Sequence, residues 1–262
     1  MVSEAEVLCE RLGAVAHVRL SHPGRLNAMS RAMWRQLREV FRELQDDHAL
    51  RCVVVRGADG HFCAGGDIAE YPAFRFDEAA LRDFHENDVW GGLSAMLACD
   101  LPVIACIEGN CMGAGVEIAS CCDIRLAAGD ARFGAPIARL GFPMAPREAR
   151  LVVRTVGELT AREMLLGATV FDATEMKVRG FLSSVCPASQ LQDRLESLVQ
   201  RVVALAPQAA RLNKQTLRAF SGESAIPTER LMDQAYAYAT SAEHREGITA
   251  FLDKRQPRFG SA

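Results

Sequence analysis

Apolar positions along the chain recur with two periods. The stretch "AVAHVRL", residues 14–20, alternates as a half-buried strand does, and "SHPGRLNAMS" follows it with the proline, glycine and asparagine that suit a turn. From Ser30 onward, Met33, Leu37, Val40, Phe41 and Leu44 recur at steps of three and four, which predicts an amphipathic helix with Ser30 as its N-cap. "RCVVVRG" (51–57) and "LPVIACIEG" (101–109) are short apolar runs without alternation and predict buried strands; Gly57 ends the first, and Pro102 and Gly109 bound the second. Between them lie a glycine-rich loop, "GHFCAGGDI", and a predicted helix near 77–99 with Leu81, Phe84, Leu93, Met96 and Leu97 on one face.

Beyond Gly115 the pattern predicts a helix through Ala119, a strand at "CDIRLAA" and a loop over "RFGAPIARLGFPMAPRE". The rest is mainly helical: "GELTAREMLLG", "ASQLQDRLESLVQRVVAL" and "PTERLMDQAYAYATSAEHREGITAFLDKR" have helical periodicity and charged outer faces. No tandem repeat, low-complexity segment or linker interrupts the chain. Its 262 residues suit one large domain, with or without a modest extension.

Charge and composition narrow the function. The net charge is −3, and lysine and arginine are scattered rather than interleaved with aromatics, which argues against a nucleic-acid partner. The acidic start does not resemble a secretory signal and no apolar run is long enough to span a membrane, so a cytoplasmic protein without a membrane partner is expected. Nine cysteines, an odd number, then read as reduced thiols. His61 and Cys63 lack the companion ligands of a metal site, and no metal is expected.

Two segments place flexible backbone directly after an apolar strand: "CAGGD" (63–67) and "GNCMGAG" (109–115). Small residues there leave amides accessible. The second loop runs into a helix, whose first amides lack partners and whose positive end favours an anion, so the pair suits an oxyanion. Taken singly, each loop is as well explained as a tight turn. "GAGVEI" lacks the last glycine of the dinucleotide-binding fingerprint, and neither a phosphate-binding G-x-x-x-x-G-K-[ST] nor a G-x-S-x-G elbow is present. Glu117, just beyond the second loop, is either a first-turn residue favoured by the helix dipole or a functional carboxylate.

"HFCAGGDI", then "PVIACIEGNCMGAGVEIASCCDIRLAA" and "RFGAPIARLGF", resemble the enoyl-CoA hydratase/isomerase, or crotonase, superfamily. "GRLNAMS" resembles its first CoA-contacting loop, "DATEMKVRGFLSSVCP" its helix-to-strand passage and "HREGITAFLDKRQPRF" its C-terminal helix, so the likeness spans nearly the whole chain. The resemblance implies an α/β fold, the crotonase (ClpP/crotonase) spiral of repeated ββα units over 1–200. It also implies a helical region over 201–262 that drives trimerisation, often into a dimer of trimers. An acyl-CoA thioester is the implied substrate, with no cofactor besides. The amides of Gly66 and Ala114 correspond to the pair that polarises the thioester carbonyl, Ala114 standing where glycine is more usual. Glu117 matches the first of two hydratase glutamates, the one that directs and deprotonates water. Arg25, Leu26 and Ala28 are implied along the pantetheine and phosphates, and Ala64, Asp67 and Ile68 beside the adenine and thiol end, with Gly65 and Gly113 also in contact with the substrate.

The chain departs from the pattern at the second glutamate, where it has Ile137. Isoleucine cannot donate a proton to the α-carbon. Three explanations stand together: Glu117 and its water perform both proton steps; another residue reaches in, the nearest being Arg147 and Glu148 of "MAPRE"; or the reaction is another of the superfamily, such as isomerisation, thioester hydrolysis or decarboxylation. For Glu148 a surface salt bridge or a helix start is the expected role. A CoA-binding protein that has lost efficient turnover is the alternative from outside enzymology.

Overall fold

The structure, a computed structural model, describes residues 5–221, 228–233 and 235–260. Residues 1–4 of the acidic start, Pro227 and Gln234, on which parts of the expectations above fall, lie outside the described residues.

Strands β1 (Glu6–Leu12) and β2 (Val15–Ser21) form an antiparallel hairpin turned at Gly13, where φ is 59°. Alternation in the sequence marks β2 but not β1, because β1 is an edge strand whose Glu10, Arg11 and Leu12 all face solvent. Helix α1 (Arg31–Gln45) starts where the cap was expected, with Ser30 Oγ accepting from the Met33 amide at 3.2 Å. Met33, Trp34, Leu37, Phe41 and Leu44 are buried along one side of it.

The chain continues through β3 (Cys52–Gly57), α2 (Glu78–Asp83), a π-helical stretch (Phe84–Val89), α3 (Trp90–Ala98), β4 (Val103–Ile107), β5 (Asn110–Met112) and α4 (Ala114–Ser120). Next come β6 (Ile124–Ala128), β7 (Arg132–Gly134), α5 (Pro146–Val156), α6 (Glu158–Leu166), β8 (Val170–Asp172), α7 (Ala173–Val178), β9 (Ser184–Cys186) and α8 (Leu191–Val203). Helices α9 (Pro207–Phe220), α10 (Thr228–Asp233) and α11 (Ala242–Leu252) form the C-terminal part. Two strands followed by a helix recur as β1β2α1, β4β5α4 and β6β7α5.

A six-stranded sheet has the order β1-β2-β3-β4-β6-β9, parallel from β2 onward, and β5, β7 and β8 form a second, three-stranded sheet. Within β3, Val53 and Val55 join the cluster that contains α1, while Cys52 and Val54 face the other side, where Leu191, Leu195 and Val202 of α8 pack. A strand covered on both faces reads as an unbroken apolar run. That is why "CVVV" and "VIACI" carry no alternation.

The helix expected near 77–99 is three segments with a π turn in the middle, and the last helical pattern divides into α10, a 3-10 turn at Ala237–Thr240 and α11. Ser241 imposes the second break by capping α11, its Oγ accepting from the His244 amide. Helix α9 is fastened to the large sheet by Lys214, whose buried Nζ donates to Leu101 O and Asp123 Oδ2, both at 2.7 Å. Eight of the nine free cysteines are buried, Cys9 being exposed.

Candidate active site

The two glycine-rich loops lie side by side because the second sheet is extended by single-residue bridges. Cys63 pairs with Cys111 of β5, its amide donating to Asn110 O and its carbonyl accepting from the Met112 amide, both at 2.8 Å. One step on, Gly66 pairs with Met29: the Met29 amide donates to Gly65 O and the Asp67 amide to Met29 O. In such a parallel bridge the middle residue turns its own amide away from its partner, which leaves the Gly66 N–H pointing out of the pair. Across from it Gly113 adopts φ 46° and α4 begins at Ala114, whose amide, as the first in the helix, has no partner within it. Neither the Gly66 nor the Ala114 N–H donates to any described residue. Gly115 permits the close approach of α4 to the first loop, since a Cβ there would stand 2.7 Å from Cys63 O.

Both amides open on a cavity of about 310 Å³ whose wall also carries Glu117. The Glu117 side chain comes from the first turn of α4, in a residue only 9% exposed. Burial, with a smaller contribution from the nearby charge of Glu148, pushes its carboxyl up to about 8 from an ordinary 4.5. A carboxyl tuned into the neutral range beside unused amides is suited to taking a proton from water while the amides receive negative charge.

Sequence reasoning placed Ala64, Gly65, Gly66, Ile68, Gly113, Ala114 and Glu117 together, and all seven line this cavity. Arg25, Leu26, Ala28 and Asp67 do not line it. Arg25 is exposed, and Leu26 (45% exposed) and Ile68 (51%) are too accessible for core packing. Asp67 instead caps its own turn, Oδ1 accepting from the Ala69 amide at 3.2 Å. Ile137 occupies the cavity wall and brings no proton donor there.

The structure corrects the expectation for Glu148. It stands in the first turn of α5, as a helix start should, but is 2% exposed and makes no surface ion pair; its Oε1 lies 3.1 Å from His85 Nδ1. Arg147 points elsewhere, 2.8 Å from Glu86. Among the lining residues that escaped sequence reasoning are His85 and Tyr71. His85 belongs to the π turn, and Tyr71 places its hydroxyl where a methyl on Gly66 would overlap it. Neither has a motif; the only signal was position, inside or beside an apolar helix face. Arg75 stacks over Phe142 and Tyr71, 3.8 and 4.4 Å from the ring centroids. Among the described residues no group of three or more His, Cys, Asp or Glu side chains is gathered as a metal would require. Nor is any helix among them long and apolar enough to cross a membrane.

The model of the enoyl-CoA hydratase/isomerase family matches residues 10–262. The chain belongs to that family. It is 31% identical to a probable enoyl-CoA hydratase of Mycobacterium tuberculosis over 97% of each chain. It is 29% identical to the short-chain-enoyl-CoA hydratase of Clostridium acetobutylicum over 95% of each. Among solved structures, an enoyl-CoA hydratase/carnithine racemase from Magnetospirillum magneticum matches with a TM-score of 0.93 and 32% identity, over 99% of this chain and 97% of that one. The fold is therefore the crotonase fold expected from the loops.

Proposed function

We propose that this chain adds water across the α,β double bond of an enoyl-CoA. The thioester oxygen accepts from the Gly66 and Ala114 amides; the Glu117 carboxylate takes a proton from water as the water oxygen bonds to the β-carbon, and the electron pair moves through the α-carbon to the thioester as an enolate. Fixed amides stabilise that charge, each donor contributing about 3–4 kcal/mol to lowering the barrier. The observation that carries the proposal is the buried, up-shifted Glu117 carboxyl in the same cavity as two unused backbone donors. Coenzyme A itself is the substrate's handle, running past Gly113 and Ala64 to Ile68 toward the exposed Arg25 and Leu26, with no resident cofactor; Ala28 and Asp67, both buried, shape the loops beneath it.

Incubation with crotonyl-CoA and longer enoyl-CoAs tests this through the loss of conjugated-thioester absorbance. Turnover should vanish in Glu117→Gln while CoA affinity persists; a variant as active as the wild type would remove Glu117 from the chemistry. Ile137 supports a second reading, a CoA-binding protein with weak or different catalysis: heat stabilisation by CoA without absorbance loss identifies it, and isomerase, hydrolase or decarboxylase activity would appear as distinct products. Exposed Leu217, Phe220, Ile248, Phe251 and Leu252 on α9 and α11 support association of the helical part, 201–262, into a trimer or a dimer of trimers around spiral cores of residues 1–200. A cytoplasmic location accords with the reduced cysteines.

A further inference from the structure

Hydration needs a proton at the α-carbon, and Ile137 has none to give. The cavity wall holds one side chain built like a proton carrier. His85 lines the cavity, and its Nδ1 is tied to Glu148 at 3.1 Å, with the Glu148 side chain 3% exposed. No described residue hydrogen-bonds Nε2. A carboxylate accepting at Nδ1 fixes the ring, stabilises its cation and leaves the Nε2 proton to be given away. The residue sits in the π stretch Phe84–Val89, an unusual helical geometry that is frequent at functional sites. Glu148 is also close enough to Glu117 for its charge to act on it, and His85 and Glu117 line the same cavity.

We infer that His85, held by Glu148, protonates the α-carbon in place of a second glutamate. The step rests on the hydration proposed above: water gives its proton to Glu117 and its oxygen to the β-carbon, the enolate pair then forms the α-carbon–hydrogen bond with the Nε2 proton, and neutral His85 with protonated Glu117 remains. Transfer of a proton from Glu117 to His85 through cavity water restores both groups. His85 is the proton donor and Glu148 its positioning residue.

The deciding measurement is deuterium uptake at the α-carbon of butyryl-CoA in heavy water, which reports α-proton transfer whether or not hydration occurs. Wild-type protein should exchange. His85→Gln should slow exchange and crotonyl-CoA hydration by roughly 100-fold or more, with KM and unfolding temperature nearly unchanged. Free imidazole should restore part of the activity of His85→Ala, and Glu148→Gln should lose roughly 10-fold or more. Exchange within about threefold of wild type in His85→Gln overturns the assignment, as does exchange lost in Tyr71→Phe but kept in His85→Gln. Wild-type exchange without hydration removes hydration as the reaction and leaves His85 to be judged by its variants; neither exchange nor hydration overturns both.

Discussion

Glutamine in place of Glu117 should make the protein more stable as it makes it inactive. The folded state holds the Glu117 carboxyl at about 8, whereas an unfolded chain ionises it near its ordinary 4.5. Between these values the unfolded chain has released a proton that the folded protein keeps, so wild-type stability falls as pH rises through the window and levels off above about 8. Each pH unit is worth 1.36 kcal/mol at 25 °C, about 3 kcal/mol at pH 7 and about 5 kcal/mol above pH 8. These are ceilings, because the carboxyl faces a cavity that admits water. A neutral amide has no such dependence and no repulsion from Glu148. Urea unfolding of both proteins from pH 4.5 to 9 provides the assay, with stabilities converging at the acid end and Glu117→Gln ahead by about 2–3 kcal/mol at pH 7. At roughly 2–4 °C per kcal/mol the melting temperature would be higher by some 4–12 °C. Parallel pH profiles for the two proteins would refute the burial of an ionisable carboxyl, and with it the physical basis for Glu117 as base.

If Glu117 acts as its carboxylate, kcat/KM of the wild type on crotonyl-CoA should rise with pH toward a limb near 8, since this parameter reports the free enzyme. Ala114→Pro removes one oxyanion donor at the first position of α4, where proline is tolerated; kcat should fall roughly 100- to 1,000-fold with the melting temperature little changed. Lys214→Met should cost about 2–3 kcal/mol in urea unfolding, because Leu101 O and the Asp123 carboxylate lose their shared donor while α9 loses its fastening to the sheet.

Strands β2, β3, β4 and β6 of the large sheet and α1 were legible because their signals are local. A capping serine followed by steps of three and four, and apolar runs bounded by glycine, report burial directly. The short strands β5, β7 and β8 were not, because three residues give no period and their pairing is set by which loops the large sheet brings together. Gly66, Ala114 and Glu117 were found through glycine-rich loops after strands. His85 and Glu148 were not found as a pair, because 63 residues separate them and their meeting depends on where a π turn re-aims the first and where α5 docks the second.

That division has a chemical consequence. The Gly66 and Ala114 amides belong to backbone held by bridges at Met29 and Cys111 and by the fit of Gly115 against Cys63, so side-chain substitution elsewhere leaves them in place. The proposed proton-transfer groups, Glu117 and His85, are side chains on α4 and the π turn, with Glu148 positioning His85 from α5, each replaceable without disturbing the bridges. On the proposed mechanism, isoleucine at 137 removes an acid without removing the oxyanion site, and a histidine brought in from another wall supplies a proton to the same intermediate. In the proposed reaction the charge on the thioester is stabilised by the fold itself, while the source of its protons depends on which few side chains line the cavity.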